Sequence, residues 1–133
     1  MNARILNIDD YDQTLRWWWE SWGWDAPSKD FLPEDGTGGV MISSNGIEIC
    51  AGFIYFTNSK AAWIEFVISN KEYKEDDRRE ALALLINCLS TIAEDKKIKY
   101  IYTSLKSKSL IDIYSNCGFI KGDSNCQEMI KIL

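Results

Sequence analysis

With 133 residues, 46% of them apolar, the chain is long enough for one domain with a real core and too short for two ordinary ones. Its net charge of −5 excludes the basic face that general nucleic-acid binding requires. Histidine is absent, which removes the commonest metal ligand, the Ser-His and Cys-His nucleophile pairs and the usual general base.

Any base must therefore be a carboxylate, a tyrosine, a lysine, a cysteine or a water chain. The four cysteines, Cys50, Cys88, Cys117 and Cys126, form no C-x-x-C pair. No metal site is expected from them, and reduced thiols in a cytosol are. Met1-Asn2-Ala3-Arg4 precedes only a short apolar run, so no signal peptide is expected. No apolar stretch approaches the ~20 residues that span a bilayer. The expectation is a cytoplasmic protein that binds neither membrane nor nucleic acid.

In chain order, residues 3–8 alternate and predict a first strand. Asp9 or Asp10 is placed to cap a helix over 11–22 that carries Trp17, Trp18, Trp19 and Trp22. Neighbours on a helix lie about 100° apart, so three consecutive tryptophans cannot share one core face. The spare rings line a pocket or a subunit contact, or form the ragged edge of a bulky core helix. Residues 25–39 hold Pro27, Pro33, Gly36, Gly38 and Gly39 and predict a loop. Strands over 40–44 and 48–57 flank Asn45-Gly46, a strong hairpin signal.

Residues 61–69 are β-branched and aromatic and predict a buried strand, with a polar turn following over 70–77. Residues 78–96 place Ala81, Leu82, Leu84, Leu85, Cys88, Leu89, Ile92 and Ala93 on one broad helical face. Asp76 or Asp77 is placed to cap this helix, and Lys96 and Lys97 suit its C-terminal end. A helix start after a central strand is a ready anion site, through its free N–H groups and its dipole. A strand over 99–104 follows, then a helix over 107–116 ended by Gly118. Phe119-Ile120 and residues 128–133 read as two last strands around a turn. The order is β-α-β-β-β-α-β-α-β-β. It predicts a single α/β domain over 1–133, with one mixed, mostly antiparallel sheet and helices on both faces.

Leu110-Ile111-Asp112-Ile113-Tyr114-Ser115-Asn116-Cys117-Gly118-Phe119 resembles the late helix of the GNAT superfamily of N-acetyltransferases, with its Tyr-x-x-x-Gly-Phe pattern. Trp63-Ile64-Glu65-Phe66-Val67-Ile68 is similar to that family's fourth strand. The 70–77 turn and the helix after it resemble its pyrophosphate-binding unit, and the element order matches over essentially the whole chain. The resemblance implies transfer of an acetyl group from acetyl-CoA, as cosubstrate, to an amine-bearing acceptor, small molecule or protein. It puts Phe66, Val67 and Ile68 at a strand kink that hydrogen-bonds the pantetheine arm. By register, Lys74, Asp77 and Arg79 take the marked positions of the Arg/Gln-x-x-Gly-x-Gly/Ala turn, and Arg78 lies among them to pair with phosphate. Ser107 falls where an asparagine near the cofactor is usual, and Leu110 where an alanine is.

The same resemblance puts Tyr114 where a tyrosine protonates the departing thiolate, and Glu65 in the strand where many members keep a carboxylate base. Taken from the residues alone, Glu65 is the acid of an apolar strand, flanked by Ile64 and Phe66. It is either a base with a raised pKa or an outward-facing residue in water. Tyr114 is either the acid or a packing residue of its helix. Cys117 has no partner to activate it as a nucleophile. The acids Asp25, Asp30, Glu34 and Asp35 lie where the family shapes its acceptor pocket. With the tryptophans they suit a cationic acceptor, or form an ordinary surface loop. The departure from the family is in the turn, where both glycines are replaced, by Asp77 and Arg79. Side chains there block close approach of backbone to phosphate, and an aspartate adds like charge. The rival reading is therefore a GNAT-fold interaction protein that has lost catalysis. A homodimer fits either.

Overall fold

A computed structural model describes residues 1–133. Asn2–Ile5 forms β1, Gly39–Ser44 β2, Ile47–Phe56 β3, Ala61–Ser69 β4 and Tyr100–Tyr102 β5. They lie in one sheet in sequence order, antiparallel from β1 to β4 and parallel between β4 and β5. The parallel step needs a crossover, and the helix α2 over Arg78–Asp95 supplies it. A π-helical turn over Tyr11–Leu15 runs into a short α1, Arg16–Ser21, and α3 spans Lys108–Asn116.

The Asn45-Gly46 signal holds. Both residues have positive φ, 53° and 78°, as a tight turn matched to strand twist demands. On one face of the sheet α2 buries Ala81, Leu82, Leu85, Ile86, Leu89 and Ala93 against β2 and β3, with α3 beside it. On the other, α1 and the 25–39 loop bury Leu15, Trp18, Trp19 and Leu32 against Met41, Ala51, Phe53 and Ile68. The tryptophan run divides as helix geometry requires: Trp18 and Trp19 are buried, while Trp17 is exposed. Trp22 is half-buried, and its indole N–H donates to the Ser69 carbonyl at 2.8 Å.

At the sheet's other end, Gly39 leaves no room for a side chain, since a Cβ there would sit 2.0 Å from the Gly52 carbonyl oxygen. Gly39→Ala should therefore push β2 and β3 apart and cost about 3 kcal/mol, the scale of core overpacking. Thermal unfolding would read it as a drop in Tm on the order of 10 °C for a chain of this size; an unchanged Tm would refute the contact.

Three expectations are corrected. Asp10 does not cap a helix with its side chain. It is buried, takes both Arg4 guanidinium arms at 2.8 Å each, and accepts the Asn7 N–H at 2.7 Å. A bidentate cation outbids a cap that would leave the buried carboxylate half-satisfied. Asp77 does not cap α2 either, because its carboxylate accepts the Tyr73 hydroxyl at 2.7 Å. The strands expected at 119–120 and 128–133 are absent, and the chain after Cys117 carries no regular structure. Gly118, at φ 96°, turns the chain back so that Phe119 donates its N–H to the Tyr114 carbonyl and packs its ring on Tyr114 at 5.0 Å. Phe119 is spent in closing α3. An alternating pattern makes a strand only where a ladder receives it, and β5 is three residues long. No helix is long and apolar enough to cross a membrane.

Candidate active site

The site is built where β4 and β5 part. They pair only at Ala61, Ala62 and Trp63 against Tyr100, Ile101 and Tyr102. The Trp63 and Tyr102 rings, 4.8 Å apart, mark the last pair. Past it β4 is bulged: Ala51 faces Ile68 and Phe53 faces Glu65, so Phe66 and Val67 together oppose Gly52. Phe66 has φ 57°, a left-handed conformation that costs a bulky residue on the order of 1–3 kcal/mol. A Cβ at Gly52 would meet Val67 Cγ2 at 3.0 Å, Leu85 Cδ2 at 3.3 Å and Leu89 Cδ1 at 3.4 Å. The bulge is thus pressed from behind by α2.

Two side chains cross the opening. The Thr103 hydroxyl donates to the Ile64 carbonyl at 2.7 Å. The Ser104 N–H donates to Glu65 Oε1 at 2.8 Å. Glu65 is half-buried, neither the outward residue nor a sealed one. Burial pushes its carboxyl above the usual range, the Ser104 and Thr103 donors oppose this, and Glu128 adds like charge.

Tyr114, 2% exposed, carries a hydroxyl with no hydrogen-bond partner. Its phenol is raised well above the ordinary value, first by burial and further by the charge of Glu65. The Thr103 hydroxyl, already committed to Ile64, offsets only part of that rise. Glu65 on β4 and Tyr114 on α3 are thus close enough for the carboxylate charge to act on the phenol.

The start of α2 is open. Its first turn has no side-chain cap, and the Arg78, Arg79 and Glu80 N–H groups have no partner in the chain. Such a terminus holds an anion. Lys74 is exposed and makes no ion pair, and Arg79 is exposed with only the Ser109 hydroxyl at 3.1 Å. Arg78 is spent locally: its Nη2 donates to the Asn70 and Tyr73 carbonyls at 2.6 and 2.7 Å and ties the turn to the helix. Ser107 caps α3, accepting the Leu110 N–H at 3.4 Å. Of the residues singled out in the sequence, Glu65 and Phe66 line one cleft, Tyr114 lies in the core under α2 and within reach of the Glu65 charge, and Lys74, Asp77 and Arg79 stand at the helix start. Val67 packs toward α2, Ile68 is buried in the core and paired with Ala51, and Arg78 and Ser107 have structural partners.

Sequence reasoning missed Thr103 and Ser104, whose relation to Glu65 is long-range. It also missed a cleft of about 280 Å³ lined by Phe31, Tyr55, Trp63, Glu65 and Phe66. Strand alternation carried part of that signal, since it puts Trp63 and Glu65 on one face of β4.

Against known proteins, no family model matches the chain, and no curated protein matches its sequence. Solved structures do. The ribosomal-protein-S18-alanine N-acetyltransferase of Escherichia coli matches 92% of this chain and 79% of its own, with a TM-score of 0.69 at 14% identity. Glucosamine-6-phosphate N-acetyltransferase of Arabidopsis thaliana matches 98% of each chain, at 0.64 and 11%. Rv2747 of Mycobacterium tuberculosis, solved in complex with CoA and NLQ, matches 92% of this chain and 74% of its own, at 0.72 and 11%. The chain has the GNAT fold. Within the GNAT fold this chain keeps the meander, the bulged fourth strand, the crossover helix and the late helix, and it lacks strands after α3.

Proposed function

We propose that the chain is an N-acetyltransferase that moves an acetyl group from acetyl-CoA to an amine by direct transfer. The observation that carries this reading is the buried Tyr114 hydroxyl without a partner, beside Glu65 at the β4–β5 seam. A buried hydroxyl left unpaired costs about 1–3 kcal/mol, a cost that makes sense where a ligand atom receives its proton. The chain's residues fit the cosubstrate at three places. Past Trp63 the edge of the bulged β4 that faces β5 is without a paired strand, which leaves backbone groups for a pantetheine arm. The open α2 amides, with Lys74 and Arg79 beside them, suit the pyrophosphate. Tyr114 suits the sulfur.

Acetyl-CoA, when bound, supplies an activated acetyl thioester. Glu65, raised by burial, accepts the proton that an ammonium must lose before its nitrogen can attack the carbonyl carbon. The open seam admits that nitrogen on the side of Glu65. As the C–N bond forms and the C–S bond breaks, Tyr114 gives its proton to the departing sulfur, and the second proton shed by the acylated nitrogen restores the phenol. Its raised pKa keeps the phenol protonated throughout the neutral range.

The rival, an interaction protein without catalysis, is favoured by one feature: Asp77 and Arg79 stand where glycines would open the turn. Asp77 is drawn to Tyr73, which fixes where its charge sits without removing it. Calorimetric titration with acetyl-CoA decides between them. Binding in the micromolar range is expected, weakening with salt, with Lys74→Glu and Arg79→Glu each raising Kd by roughly fivefold as an exposed cation becomes an anion. No binding up to millimolar acetyl-CoA would overturn the enzyme reading.

A further inference from the structure

The cleft beside Glu65 has a composition that the transfer chemistry does not require. Four of its five lining residues are aromatic, and its one charge is the Glu65 carboxylate. Phe66 stands edge-on to Phe31 at 5.6 Å and 85°, and tilted to Tyr55 at 6.4 Å. The Tyr55 hydroxyl donates to the Phe31 carbonyl at 2.9 Å, which pins the rim over the sheet. Glu65 and Phe66 are consecutive, and in a regular strand they would face opposite ways. The left-handed turn at Phe66 brings both to the same face. Lys29, two residues before Phe31, is turned away to Asp12 at 3.0 Å and to the Tyr11 ring.

We propose that the acceptor is a small primary amine on an uncharged aromatic stem, its ammonium at Glu65 and its ring among Phe31, Tyr55, Trp63 and Phe66. The inference rests on the acetyl-transfer reading and names its acceptor. Ring faces attract a cation, and a carboxylate at their edge fixes where it sits. With no basic group in the lining, a carboxylate or phosphate on the acceptor would be desolvated without a partner and repelled by Glu65. The cleft is open to solvent, and its volume of about 280 Å³ leaves room for an aromatic ring with a short aminoalkyl arm.

The test uses 2-phenylethylamine as the probe, titrated calorimetrically into the full chain with and without acetyl-CoA, and CoA release as the activity readout. Phenylalanine, which adds a carboxylate to the same stem, and butylamine, which lacks the ring, are the comparators. 2-Phenylethylamine should bind, and each comparator should bind at least about tenfold more weakly. Phe31→Ala should weaken 2-phenylethylamine by about fivefold with unfolding unchanged, since that ring is 45% exposed. Equal affinity for 2-phenylethylamine and phenylalanine, or an unchanged Kd in Phe31→Ala, would overturn the proposal. The two readings fail separately. If acetyl-CoA binds and the chain acetylates other amines but does not bind 2-phenylethylamine, the acceptor class is wrong and acetyl transfer stands. If 2-phenylethylamine binds and depends on Phe31 while acetyl-CoA does not bind, acetyl transfer is wrong and the amine site stands.

Discussion

Glu65→Gln should lower kcat/KM for acetyl transfer by about 10²–10⁴-fold, the range that positioned acid–base groups supply. It should also erase the acidic limb of the pH profile. A carboxylate base works only when ionised, and burial holds the Glu65 carboxyl above its usual range. Activity of the unaltered chain should therefore rise with pH through a value higher than an ordinary glutamate would give. The stability sign runs the other way. A carboxyl whose folded pKa is raised opposes folding once it ionises, and that cost disappears as pH falls through the folded pKa. Glutamine keeps an oxygen to accept the Ser104 N–H, so the seam should stay laced and thermal unfolding should change little. A pH–rate profile of both proteins, read with their Tm values, checks this. Equal turnover with an intact acidic limb would remove Glu65 from the chemistry.

Tyr114→Phe should separate function from stability. Turnover should fall by roughly 10²-fold, as the sulfur loses its proton donor. Stability should hold or rise by about 1 kcal/mol, because the hydroxyl removed is a buried one without a partner. The ring keeps its place against Phe119. A packing tyrosine would give the opposite pair, unchanged turnover with a Tm that stays level or falls. Kinetics and thermal unfolding on one preparation distinguish the two.

Much of the fold was legible because its signals are local. Asn45-Gly46 fixes a hairpin whatever surrounds it, and the apolar face of α2 repeats within its own eighteen residues. Glu65 was legible as an acid among apolar neighbours, and Tyr114 through the Tyr-x-x-x-Gly-Phe resemblance. The resemblance alone placed a kink over Phe66, Val67 and Ile68, since no glycine advertises a left-handed residue there, and the structure narrows it to Phe66 and Val67, with Ile68 paired to Ala51. Caps failed at Asp10 and Asp77 because a cap assignment sees four residues, while Arg4 and Tyr73 compete from outside that window. The last strands failed for a related reason. Residues 128–133 alternate as a strand does, yet a ladder is a property of two segments, and the sequence shows only one of them. Phe31 gave no periodic sign at all, because it reaches the cleft from a turn in a loop.

The bulge has its support on the α2 face of the sheet. Gly52 lies against Val67, Leu85 and Leu89 with little room for even a methyl group, so aliphatic side chains of α2 back the kinked strand behind Glu65 and Phe66. Drift in the size of those α2 side chains would retune the acceptor cleft without touching one residue that lines it.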